Sequence, residues 1–182
     1  MVAAFDPESP YVHELDWQLM ANGFVSLFWQ PEVLSASVQW LRDNSYNVVT
    51  LDAGAWNDEA AMHRAVAEAL DFPDYYGENL DALNDCLSDV ATYEYASSRR
   101  DAGLVLVLNR FDRFLRQDPR VAPIMLDIFA SRARVAALVG HRMLCLIRSD
   151  DPDIHVLPVG ATPVMWNPAE WMDSARHPNR RR

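Results

Sequence analysis

Two stretches of this chain, Leu104–Leu108 (LVLVL) and Met143–Ile147 (MLCLI), are apolar at every position. Successive strand residues point to opposite faces, so a strand with no polar face has to be covered on both sides. That requirement is met by parallel sheets with helices packed on each face, and it restricts the chain to the α/β class. Between the two runs, Pro123 opens a predicted helix reaching about Val139, with Gly140 as its stop. Ile124, Ile128, Val135 and Val139 form its expected buried stripe.

The same alternation extends upstream. Asn47–Leu51 (NVVTL) and Gly23–Trp29 (GFVSLFW) read as strands. A helix starts at Pro31 and runs to about Asp43, with Leu34, Val38 and Leu41 on one face. It provides a crossover from the Gly23–Trp29 strand to the Asn47 strand, so the N-terminal βα unit is expected to add a fourth parallel strand. Asn57 is the expected cap of a helix with Met62, Ala65, Val66, Ala69 and Leu70 inside, ending before Pro73. Asn79 caps another, from about Leu80 to Ser88, with Leu80, Leu83 and Leu87 inward. Val90–Ala102 reads as a loop, and the tail from Pro168 as loosely held. The organisation is a single domain over 1–182, with an N-terminal βα extension (1–45), an α/β core (46–150) and a C-terminal tail (151–182).

Little in the chain points to catalysis. Its six glycines form no GxGxxG, Walker A or GxSxG pattern, so there is no ready cradle for a nucleotide pyrophosphate. The histidines at 13, 63, 141, 155 and 177 never fall within one helical turn of each other. Asp150, Asp151, Asp153 and His155 follow the last strand and read as a solvated turn. Neither a cofactor nor a metal is expected. Cys86 and Cys145 match no zinc or CxxC spacing, which suits two reduced thiols. Asp6, Glu8 and Glu14 near the start argue against a signal peptide, and no apolar run approaches the roughly 20 residues that span a bilayer. A cytoplasmic location is the expectation. With 26 acids against 16 bases the net charge is −10, which disfavours nucleic acid and favours a basic partner.

The acids are concentrated. From Ala65 to Ser98 there are eight and no cation. Asp81, Asp85 and Asp89 lie at i, i+4 and i+8, on one face of the predicted Leu80 helix. Each like-charge pair costs about 0.2–0.5 kcal/mol, and the last two oppose the helix dipole. Stability alone would put a cation there. Tyr75, Tyr76 and Gly77 precede this helix in a polar loop, and aromatic rings beside carboxylates suit a cationic protein site.

The segment Phe72–Leu87, FPDYYGENLDALNDCL, closely resembles the inhibitory loop and helix of the barstar family, intracellular inhibitors of a ribonuclease. The strand–helix–helix–strand–helix–strand order from Asn47 to Arg148 fits the same family. The resemblance implies a small parallel sheet flanked by helices and a ribonuclease-inhibiting, non-enzymatic role as a bacterial immunity protein. It implies that the loop and helix plug a basic nuclease active site, with Asp85 in the place of the scissile phosphate. Asp81 and Tyr75 match further contact positions. The partner-binding set is then Tyr75, Tyr76, Gly77, Glu78, Asn79, Asp81, Asn84, Asp85, Ser88 and Asp89. Departures bear on which enzyme is bound: Asn84 replaces the usual Trp, and Asp89-Val90 replaces Gly-Trp. Ser131–Val135, with Arg132 and Arg134, stands where further acids are usual, and an inserted loop from about Thr92 to Ala102 adds Arg99 and Arg100. Two other readings fit the same residues. One is an interaction module regulating a non-nuclease partner; the other is a hydrolase holding a metal on Glu78, Asp81 and Asp85.

Overall fold

In the computed structural model, which describes residues 14–177, five parallel strands form one sheet in the order β2-β3-β4-β1-β5. Along the chain these are α1 (Leu15–Ala21), β1 (Val25–Phe28), α2 (Pro31–Asp43), β2 (Tyr46–Asp52), α3 (Glu59–Ala69), α4 (Leu80–Ala91), β3 (Gly103–Asn109), α5 (Phe111–Gln117), α6 (Val121–Leu138), β4 (Arg142–Arg148), β5 (Met165–Trp166) and α7 (Asp173–Arg176). The fully apolar runs are the central strands. Leu104, Leu106, Leu108, Met143, Cys145 and Ile147 face the core under α3 to α6. Val105, Val107, Leu144 and Leu146 face Leu19 of α1 and Leu34 and Leu41 of α2. Their alternation makes three layers from one sheet.

The N-terminal βα unit does add a parallel strand, paired with β4 in the register Val25↔Cys145 to Phe28↔Arg148. It does not lie beside β2; the connection through α2 spans β4 and β3. A buried polar tie fixes this region to the rest. Asp16 of α1, 2% exposed, accepts from the Tyr46 hydroxyl (2.6 Å) and Arg142 Nη1 (3.0 Å).

Four expectations need correction. The stripe Ile124, Val135 and Val139 of α6 faces outward; the buried face is Val121, Ala122, Met125, Leu126, Phe129, Ala130, Ala133 and Ala136. That face interleaves the large side chains of Met125, Leu126 and Phe129 with alanines at 122, 130, 133 and 136, so side-chain size alone does not mark it. The cap of α3 is Asp58, whose carboxylate accepts from Ala61 N, rather than Asn57. The 90–102 segment begins inside α4, which continues to Ala91.

As far as residue 177 the tail is held in place. Asn167 pairs with Leu27 as β5 lies along β1, and the fully buried Glu170 carboxylate accepts from Trp29 N (3.0 Å), Gln30 N (2.8 Å) and Asn167 Nδ2 (2.5 Å). Arg176 then bonds the carbonyls of Glu170 and Trp171 and stacks over Trp166. The turn after β4 is likewise tied down, with Asp150 paired to Arg113 and Arg148 and Asp153 to His177. Arg180–Arg182 and His13 lie outside the described residues.

Candidate functional site

The loop 71–79 and α4 expose six carboxylates, Asp71, Asp74, Glu78, Asp81, Asp85 and Asp89, and local chemistry explains the shape of this surface. Asp71 (φ 55) turns the chain away just past the Leu70 C-cap of α3, and the loop hands over to α4 through Glu78 (φ 45). Both are left-handed, a region that L residues enter at about 1–2 kcal/mol. Asn79 then caps α4 by accepting from Ala82 N at 2.9 Å, while its amide donates to Gly77 O at 3.0 Å. A Cβ on Gly77 would stand 3.0 Å from that amide, so glycine leaves room for the capping side chain.

The two adjacent tyrosines are sent in opposite directions. Tyr75 is 83% exposed. Tyr76 packs edge-on against Phe72, 5.0 Å between centroids, and its hydroxyl meets Nδ1 of the buried His63 at 2.5 Å. Burial raises the Tyr76 hydroxyl above its ordinary range, so it keeps its proton and donates. Burial also lowers the His63 imidazole, against the opposing pull of Glu59. Neutral His63 therefore accepts at Nδ1, while its buried Nε2, 3.5 Å from Glu59 Oε1, makes no hydrogen bond among the described residues. Glu59 is held in turn by Arg120 (3.0 Å). The His63–Tyr76 bond ties the loop to α3, yet a lone histidine beside Met62 carries no sequence signal that would reveal it. A second brace comes from Tyr95, whose single O–H proton is shared between Cys86 O (3.1 Å) and Asp89 Oδ2 (3.2 Å).

On α4, Leu83, Cys86, Leu87 and Val90 are buried against α6 and the core, and Asp81, Asp85 and Asp89 are exposed. Among the described residues Asp81 and Asp85 form no ion pair; the Asp85 carboxylate has one long contact, Asn84 Nδ2 at 3.5 Å. Glu78 lies 4.0 Å from Arg64, with both side chains half-exposed, a pairing of small energetic value. Ser88 faces α6 and accepts from Arg132 at 3.4 Å. The expected contact residues thus share one loop-and-helix surface, except that Tyr76 turns inward and Ser88 toward the neighbouring helix. Among the described residues no group of three or more His, Cys, Asp or Glu could hold a metal ion, so Glu78, Asp81 and Asp85 do not converge on one. Cys86 and Cys145 are buried and free. No described helix is long and apolar enough to cross a membrane.

The molecule is an α/β protein whose exposed carboxylates crowd one helix and the loop before it. It belongs to the Barstar (barnase inhibitor) family, whose model matches residues 46–148, from β2 to β4. A 64-residue segment is 38% identical to a protein of Bacillus subtilis (strain 168) named "Putative ribonuclease inhibitor YrdF". That similarity spans 35% of this chain and 60% of the relative's length.

Proposed function

We propose that this chain is a cytoplasmic bacterial immunity protein that inhibits a basic ribonuclease by inserting α4 and the loop 71–79 into its active-site cleft. The observation that carries this reading is the family match across β2 to β4, which includes a loop and helix free of cations from Ala65 to Ser98. Asp85 would occupy the place of the substrate phosphate, among the cations that bind it. Asp81 and Asp89 extend the negative surface one turn to each side, and Glu78 adds charge at the helix start. Tyr75 offers a free ring at the tip, with Gly77 and Asn79 shaping the turn that presents it. Tyr76, held by His63, sets the angle of the loop. Asn84 and Ser88 border the surface on the α6 side.

Such a surface steers a basic partner during diffusion and loses few ordering costs on binding, because its frame is already fixed. Ser131 and Val135 carry no charge, so the acidic contacts fall on α4 and its loop alone. The direct test is residual activity of a panel of small basic microbial ribonucleases after mixing with the chain at equal concentration. Stoichiometric loss of activity in a panel member is expected. A chain that binds such an enzyme and leaves its activity intact, or that inhibits none, contradicts the proposal. A co-purifying transcriptional or metabolic protein with no nuclease would favour the alternative of a regulatory interaction module.

A further inference from the structure

Among the described residues α1 and α2 cover the second face of the sheet, and an open cleft of about 480 Å³ lies between α2 and the C-terminal parts of β2, β3 and β4. Leu34 and Val38 of α2 and Val107 of β3 supply its apolar lining. Thr50 and Asn109 contribute polar groups, and Arg42 and Arg148 contribute charge. No acid lines this cavity, in a chain of net charge −10.

The positive charge is only partly offset. Arg148 Nη2 lies 2.8 Å from Asp150, but the same carboxylate also serves Arg113 at 3.4 Å, so one anion faces two guanidinium groups. Arg148 Nε is buried and has no hydrogen-bond partner among the described residues. That donor is available to an acceptor that enters the cleft. Arg42 forms no ion pair among the described residues. A neighbouring cavity of about 470 Å³ shares Arg148 but is lined by Glu32 and Asp150, so the cationic excess belongs to the α2–β3 side.

Carboxyl ends of parallel strands are where α/β folds place ligands, and the volume suits a small molecule. We propose that this cavity binds a small organic oxyanion, its charged group held by Arg42 and Arg148 and its apolar body resting on Leu34, Val38 and Val107. The α2 wall lies outside the family-matched residues 46–148, so the site is tied to this chain's N-terminal extension. It is separate from the acidic surface of α4, and its ligand is opposite in charge to the proposed protein partner.

The probes are phenyl phosphate and benzoate, with inorganic phosphate and benzyl alcohol as the charge-only and body-only controls. Titration calorimetry on the full chain should show saturable one-to-one binding of at least one aryl anion, with both controls weaker by roughly tenfold or more. The same titration should move the Arg148 Nε–H resonance. Arg148 is largely enclosed, so the decisive variants sit at exposed positions: Arg42→Ala removes one charge, and Ser35→Trp fills the cavity. Each should weaken the aryl anion roughly tenfold or more, with melting unchanged. Absence of saturable binding by both aryl anions, equal affinity for inorganic phosphate, or affinity unchanged in both variants would overturn the proposal.

Discussion

Removing the Glu170 carboxylate should be among the most damaging single changes in the molecule, although it lies in the C-terminal tail. The side chain is fully buried and accepts three hydrogen bonds, two of them from the backbone of Trp29 and Gln30 just ahead of α2. A hydrogen bond to a charged group contributes about 1.5–3 kcal/mol, and an orphaned buried donor costs a similar amount. The three bonds share one carboxylate and are coupled, so their sum is an upper limit. Glu170→Ala should therefore cost about 3–5 kcal/mol, a large part of the roughly 5–15 kcal/mol typical of a domain. Glu170→Gln keeps the volume and one acceptor, and should cost about 1–3 kcal/mol. Urea titration reads both, as a lower midpoint at an unchanged slope. Hydrogen exchange should show the Trp29 and Gln30 amides losing protection first. A Glu170→Ala midpoint within about 0.5 kcal/mol of the parent would refute the claim that this carboxylate fastens the tail to α2.

Truncation to begin at Ser45 should abolish cooperative folding, since it uncovers Val105, Val107, Leu144 and Leu146 and removes the partner of β5; a soluble, cooperatively melting fragment would contradict this. Burial lowers the imidazoles of His63 and His141, which are both inaccessible to solvent. The unfolded chain therefore takes up protons near pH 6.5 while the folded one does not, and the histidine contribution to stability falls as pH drops below about 6.5. Urea midpoints at pH 7.5 and 5.5, compared with a His63→Asn/His141→Asn variant, isolate that part; a parent with the same pH dependence as the variant would disprove it. Association with the inhibited ribonuclease should slow roughly tenfold or more from low to high ionic strength, while dissociation changes less. Stopped-flow rates that ignore salt would remove the steering argument.

The sheet was readable where burial on both faces left an unbroken apolar run, as in β3 and β4. Helix α2 was readable because Pro31 and a one-sided apolar pattern mark its limits. Helix α6 misled because it is apolar on two sides: counting large side chains selects Ile124, Val135 and Val139, whereas packing selects Phe129, Met125 and a series of alanines. Helices of seven residues or fewer, such as α1 and α5, and the two-residue strand β5 carry too little periodicity to stand out. The tail is held by Glu170, Asn167 and Arg176, polar residues whose partners lie in other segments, and no local pattern encodes such bonds. Within the candidate site the acids and the Asn79 cap were legible from spacing. The opposite orientations of Tyr75 and Tyr76 were not, because they depend on His63 across the loop.

The proposed mode of inhibition places an exposed Asp85 in a pocket of cations on the partner. Asp85→Asn keeps the shape and removes the charge. On the isolated chain it relieves repulsion from Asp81 and Asp89, so melting should be unchanged or slightly later, by no more than about 0.5 kcal/mol. In the complex it leaves the partner's cations buried and unpaired, a loss of about 3–5 kcal/mol or roughly two to four orders of magnitude in Kd. Both effects can be measured on one preparation, by a melting curve and an inhibition titration against the ribonuclease identified in the panel. Unchanged or higher stability together with that loss of inhibition is the predicted result. A variant that inhibits within about threefold of the parent, less than the change expected for one charge-assisted contact, would contradict the account.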